Sequence, residues 1–479
     1  MATSTAAPDE LTDAPKRQPK KSAIAALVGS ALEYYDFFIY ASASALVFNR
    51  LFFDPSNPAV ATLLSLATFG VAYVARPVGA FVLGRWGDLK GRRVVMVFTL
   101  FLMGIATFAI GCLPTYDQIG VTAPVLLVTC RLAQGFSAGG EQSSANSMSL
   151  EHAPDNRRSF TTGWTMFGTQ LGQVIAAGVF IPMAAIGEEF FMSVGWRIPF
   201  WLSALVVLVG WLIRRTLEEP PQFQAQAAEA GPRVKRDPMR ILITRYWGPL
   251  VAVTILALHN FETTIFSVWA LSYGKAQGIA EAHMLSQTVL VQLSAILAQQ
   301  YGYTLAKASG WMAISIAGML VGITLFGILA DKLGRKKIYI GGYIVVAVLL
   351  WFYMTQLHDA NVIGVYLLGF VMQGIFYSAV NGVWPAFYGE QFPTKVRLSG
   401  TSLGTQIGFT ITGFAPTIAA ALVIGDATDF TPVYLLTIAV MAAVLLTAAF
   451  GTRETAFKSL DQLDEEADEA EITKYGHSL

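Results

Sequence analysis

"GRWGDLKGRR" (residues 84–93) returns as "GILADKLGRK" (residues 327–336), with Gly, Asp, Gly and Arg aligned at one offset of 243 residues. A second echo follows in each half: Glu151, Pro154 and Arg158 keep the internal spacing of Glu390, Pro393 and Arg397. Each copy closes an apolar stretch, so the repeated unit holds several hydrophobic segments. Duplication of that kind builds carriers of two helical bundles around a central site.

The 479 residues are 54% hydrophobic and 13% charged, where soluble domains carry about a quarter charged residues. A helix needs about 20 apolar residues to cross about 30 Å of hydrocarbon. Helices also satisfy their own backbone polar groups in lipid. Hydropathy predicts spans near 23–48, 59–83, 94–113, 123–148, 160–186 and 198–213, then 247–273, 309–330, 338–357, 362–388, 399–424 and 431–450. The expected fold is an all-α polytopic membrane protein, twelve transmembrane helices in two six-helix bundles. With both termini inside, 26 of the 32 Lys and Arg residues fall on the cytoplasmic side; Arg50, Arg197, Lys275 and Lys307 lie outside, and Arg76 and Arg131 within spans. The opposite orientation violates the positive-inside rule.

The expected organisation is a disordered cytoplasmic tail (1–21), a first bundle (22–216), a charged central loop (217–245), a second bundle (246–452) and an acidic tail (453–479). The acidic composition of the last segment reads as a solvated tail. Residues 281–303, apolar but left over by the orientation, are expected to form an external or interfacial insert. Cys112 and Cys130 are expected to be buried free thiols, without metal-ligand spacing. No cofactor, nucleic acid or obligate protein partner is expected; the partners are a small-molecule substrate, protons and the bilayer.

In the repeated loops Asp88 and Asp331 stand at helix ends, where they can accept from exposed amides and pair with an Arg across the bundle interface. With Arg92 and Arg335 they form either a latch that opens as the halves rock or a static topological anchor. Glu141, near the inner end of the fourth span, is assigned to gating or structure.

These motifs carry a resemblance. "GSALEYYDF", "RPVGAFVLGRWGDLKGRR", "RLAQGFSAGGE", "GWRIPFWLS", "LEEPPQF", "GILADKLGRKK" and "YGEQFPTKVRLSG" occur in order. The chain resembles a major facilitator superfamily transporter of the metabolite:proton symporter family over about residues 23–452. The resemblance implies proton coupling in a bacterial inner membrane and substrates among organic acids and zwitterions such as proline and betaine. Ser30 and Pro220 depart from the family pattern, as does the 281–303 insert.

Charged side chains inside a membrane face a cavity or a partner. Glu33 and Asp36, three residues apart, share one helix face. Either they bind and release the coupling proton, or they are a structural pair satisfied by Arg76 or Arg131. Arg131 can hold a substrate carboxylate through its rigid fork or pair with those acids, and Arg76 is open to either role. Glu141 lies ten residues beyond Arg131, about 15 Å along the helix, too far to pair easily. His259 and Glu262, also three apart, are a second candidate for proton handling. Gln170, Asn381 and Trp384 add polar or aromatic groups on spans that the resemblance places around a central cavity, with helix–helix contact as the alternative, and Tyr34 could stack on a ring or cage a quaternary ammonium.

No phosphate-binding G-x-x-x-x-G-K-[ST] loop supports ATP driving, and no nucleophile–base or metal constellation supports an enzyme. The expected function is proton-coupled import of a mono- or dicarboxylate by alternating access. The alternatives are symport of a zwitterionic compatible solute of the proline or betaine type, and a non-transporting receptor.

Overall fold

The computed structural model describes residues 19–53, 58–185, 188–215, 237–270, 273, 321–423 and 429–475. The 281–303 insert lies outside the described residues. All regular structure among those described is helical. The first six spans are α1 (Pro19–Ala43, continued by a π turn Ser44–Phe48), α2 (Pro58–Lys90), α3 (Arg92–Cys112), α4 (Thr122–His152), α5 (Arg158–Ala185) and α6 (Ile198–Arg214). In the second set, α7 begins as Trp247–Leu256 and α8 covers 321–333. They are followed by α9 (Arg335–His358), α10 (Val362–Gly369 and beyond), α11 (Arg397–Gly413, then Ala415–Leu422) and α12 (Thr431–Phe450).

Six described helices are long and apolar enough to cross a membrane, or seven if Pro238–Arg245 and Trp247–Thr264, bent by 86°, count as one span. The outer wall exposes Ile105 (64%), Leu205 (58%), Leu435 (60%) and Phe450 (85%). Large apolar side chains left exposed in this way suit lipid rather than water.

Within the first bundle α1 packs chiefly on α5, and α2 on α4. Backbones touch there: a Cβ on Gly139 of α4 would collide with the Arg76 carbonyl of α2. The bundles meet along α2 and α11, with α4 and α5 against the end of α10. The repeated loops adopt one conformation, with Gly91 at φ 110° and Gly334 at φ 109°. That left-handed region costs glycine little, which accounts for the shared glycine.

α7 and α10 depart from α geometry at mid-span. α7 passes through a 3-10 turn (Ala257–His259), an α turn (Asn260–Thr264) and a π turn (Ile265–Trp269). α10 runs through a π segment (Phe370–Phe376) into Tyr377–Asn381 and, after a break, Trp384–Gly389. Such interruptions concentrate at functional sites.

The acidic tail is not solvated throughout. Residues Leu460–Tyr475 form a helix, α13, that docks on the face bearing both described chain ends. Leu460 and Leu463 pack with Leu150 of α4 and Ala386 of the α10 end, so α13 touches both bundles. Asp464 accepts from Thr394 N at 2.9 Å and pairs with Arg397 at 3.5 Å. Burial pushes its carboxyl above the usual range, while Arg397 and Thr394 pull it back. Glu471 accepts from the Tyr246 hydroxyl at 2.5 Å and pairs with Arg245 at 3.1 Å. The basic partners lie far away in sequence, so composition alone reads the segment as solvated. Leu463→Asp is expected to undock α13, since burying an unpaired carboxylate costs several kcal/mol. Hydrogen exchange of 460–475 should then approach the rate of free helix; protection retained at the parental level would mean that the apolar contact is dispensable.

Candidate functional site

Two pseudo-symmetric charge clusters tie the bundles together on the termini face. Asp88 accepts from the α11 amides Leu398 N (3.3 Å) and Ser399 N (2.8 Å). Asp331 accepts from the α5 amides Ser159 N and Phe160 N, both at 2.9 Å. Each aspartate therefore crosses the interface to cap a helix of the other bundle, where the N-terminal partial charge favours a carboxylate.

The arginines differ from expectation. Arg92 and Arg335 pair with Asp88 (3.1 Å) and Asp331 (3.2 Å) four residues back, within their own loops. The ion pairs that cross belong to glutamates of the second echo. Glu151 meets Arg92 at 3.3 Å and Arg397 of the opposite bundle at 3.2 Å. Glu390 meets Arg335 at 3.0 Å and Arg158 of the opposite bundle at 3.1 Å. The side chains of all these Arg and Glu residues are fully buried. The sequence carried the signal for Glu151, Arg158, Glu390 and Arg397 in their repeated spacing, but that spacing alone gave them no role. The segment after α12 reinforces the closure: Arg158 donates to the carbonyls of Thr455 (3.0 Å) and Lys458.

Deeper in the first bundle, Arg131 of α4 donates to Gln134 at 2.8 Å and stacks over Tyr40 at 3.8 Å and Phe37 at 4.9 Å. Asp36 accepts from Ser203 of α6 at 2.6 Å and lies within electrostatic reach of Glu141. Among the described residues Asp36 has no ion pair, so it pairs with neither Arg76 nor Arg131. Glu33 is buried (2% exposed) and lies within electrostatic reach of Tyr34, which bonds Gln142. Asp36 thus points into the bundle, while Glu33 neighbours Tyr34.

Arg76 is different. It is 5% exposed, its guanidinium stacks over Phe37 and Tyr73 at 4.8 Å each, and its Nε is buried without a partner. It makes no hydrogen bond or ion pair among the described residues. It lies on α2, the helix that meets α11 of the other bundle, and Thr410 of α11 donates to the Tyr73 carbonyl at 3.0 Å.

In the second bundle His259 and Glu262 do not bond each other. Glu262 accepts from Gln373 at 2.5 Å and Thr263 at 3.4 Å. The 3-10 turn leaves the Leu256 carbonyl open, and it accepts from Tyr388 (2.9 Å) and Tyr339 (3.3 Å), with His259 Nδ1 at 3.0 Å. His259 Nδ1 also meets the Tyr388 hydroxyl at 3.0 Å. Tyr377 donates to Asn260 at 3.0 Å. Trp384 packs beside His259, whereas Gln170 and Asn381 are half-buried on α5 and α10. Both cysteines are free, but Cys112 is exposed and Cys130 half-buried, not both buried as expected.

Two helical bundles sealed at one face by repeated charge clusters, with buried charges between their spans, define a membrane carrier. The family model "Sugar (and other) transporter" matches residues 22–235, and "Major Facilitator Superfamily" matches 282–477. The glycine betaine/proline/ectoine/pipecolic acid transporter OusA of Dickeya dadantii is 32% identical, covering 94% of this chain and 87% of the relative. The shikimate transporter of Escherichia coli is 32% identical, covering 87% and 90%. The solved proton:xylose symporter XylE shares the fold with a TM-score of 0.67 at 18% identity, covering 93% of this chain and 98% of its own. This chain belongs to the major facilitator superfamily of transporters.

Proposed function

We propose that the protein is a proton-coupled importer of a small zwitterion of the proline or betaine type, working by alternating access in a bacterial inner membrane with both termini cytoplasmic. The observation that carries the substrate class is Arg76, a buried cation on α2 with no ion pair among the described residues, suited to a substrate carboxylate. The relative OusA is named for glycine betaine, proline, ectoine and pipecolic acid, which favours a zwitterion over the organic acid expected from the sequence. The relative named for shikimate keeps a carboxylate common to both classes. We assign the coupling proton to Asp36, whose buried charge a proton can compensate in place of a cation. The termini-face clusters act as the inner gate.

The charge of the substrate gives a direct test. One proton supplies about 2.3 kcal/mol per 100 mV plus about 1.4 kcal/mol per pH unit. A zwitterion carried with one proton should therefore reach roughly 500-fold accumulation at 100 mV and one pH unit. A monoanion with one proton moves no net charge and should feel only the pH gradient, about tenfold. Proline and betaine uptake into vesicles is expected to rise with an imposed inside-negative voltage; indifference to both gradients would remove the symporter reading. Asp36→Asn is expected to abolish accumulation while counterflow of pre-loaded substrate continues. Accumulation at the parental ratio would take the proton away from Asp36.

A further inference from the structure

The rings of the two bundles differ in what covers them. In the first bundle Phe37, Tyr40 and Tyr73 already face arginines, Arg131 over Phe37 and Tyr40 and Arg76 over Phe37 and Tyr73. In the second bundle Tyr377, Trp384 and Phe409 gather around His259, with ring centroids 6.1, 6.2 and 6.1 Å from the imidazole. Trp384 and Phe409 meet edge-on at 6.0 Å and 89°. Among the described residues no Lys or Arg stands over these three rings.

The whole cluster is buried. Tyr339, Tyr388 and His259 are fully buried, whereas Tyr377 and Trp384 keep 3% exposure and Phe409 keeps 5%. Glu262 and Tyr34 lie within electrostatic reach of Tyr377, and Arg76 within reach of Tyr34. Tyr34 therefore lies within reach of both the cluster and the arginine. His259 Nε2 is buried without a hydrogen-bond partner among the described residues.

We propose that Tyr377, Trp384 and Phe409 form the subsite for the ammonium end of the substrate, with quaternary ammonium preferred, while Arg76 takes the carboxylate. The inference rests on the zwitterion reading above and adds where the positive end sits. Aromatic faces attract a cation through their quadrupole, and methylated ammonium, which needs few hydrogen bonds, suits such a wall best. Because the two ends of one small molecule belong to different bundles, binding favours the arrangement that brings the bundles together. A ligand moves a conformational equilibrium only through such a difference in contacts between states.

The test uses the purified full chain, glycine betaine, and the isostere 3,3-dimethylbutanoate, in which a neutral tert-butyl group replaces trimethylammonium. Betaine is expected to bind at least about tenfold tighter than the isostere. Trp384→Leu should weaken betaine binding about thirtyfold, the worth of one desolvated cation–π contact, and leave the isostere unchanged; Trp384→Phe should restore most of the loss. Equal binding of betaine and isostere by the unsubstituted protein overturns the subsite, and that comparison stands even if the Leu variant fails to fold. Betaine affinity within twofold of parental in a folded Trp384→Leu protein overturns it as well, leaving the zwitterion reading intact. Absence of betaine and proline binding, with a hydroxylated carboxylate bound instead, overturns both.

Discussion

Arg76→Ala is expected to raise the dissociation constant for proline or betaine roughly 150-fold, about 3 kcal/mol. A buried guanidinium normally meets a carboxylate, because desolvating a charge without a partner is costly. Among the described residues Arg76 has only the faces of Phe37 and Tyr73 around its guanidinium, which stabilise a cation without neutralising it. A substrate carboxylate in a site shielded from water completes the pair, and a fork of parallel N–H donors fits it better than a point charge. Arg76→Lys should therefore recover only part of the affinity. Arg131→Ala serves as the contrast: its guanidinium is held by Gln134 and Tyr40, so its removal should lower thermal stability more than it changes affinity. Equilibrium binding with parallel thermal unfolding separates the two. Affinity within twofold of parental in Arg76→Ala would end the carboxylate-clamp assignment.

What the sequence disclosed followed from local spacing. Gly91 and Gly334 announce their shared turn because only the local backbone decides their φ. Asp88 and Arg92 are four residues apart, and that spacing foretells the pair the structure contains, although the expected Arg partner lay across the interface. Contacts between distant elements were harder to read. The aromatic wall joins His259 to Tyr377, Trp384 and Phe409, residues more than a hundred positions further along, and no periodicity links them. His259 and Glu262 share a spacing that suggests one face, but the change from 3-10 to α geometry between them gives each its own partners. The docking of α13 was hidden for a similar reason. Its acids look solvated until Arg245, Lys395 and Arg397 are brought beside them by the folding of other segments.

Glu390→Gln should shift the protein toward a state open at the termini face by about 3 kcal/mol, roughly 150-fold. Glu390 holds Arg158 of one bundle and Arg335 of the other, both fully buried. Removing its charge leaves Arg158 without an ion pair among the described residues, beside an Arg335 that keeps only Asp331, a like-charge contact in a shielded site. Separation of the bundles relieves it by admitting water to both. The penalty therefore falls on the closed state alone, which is the condition for a population shift. Glu151→Gln, the pseudo-symmetric change beside Arg92 and Arg397, should act in the same direction and by a similar amount. Asp461→Asn, on the exposed side of α13, should change nothing. Spin labels at exposed Lys90 and Lys332, on a chain with Cys112 and Cys130 replaced by Ser, report the separation as a pulsed-EPR distance distribution. In a static anchor the same substitutions would lower the unfolding temperature while that distribution stayed at its parental position. A moving gate predicts a new, longer population whose weight grows in both glutamate variants, with binding of substrate drawing it back.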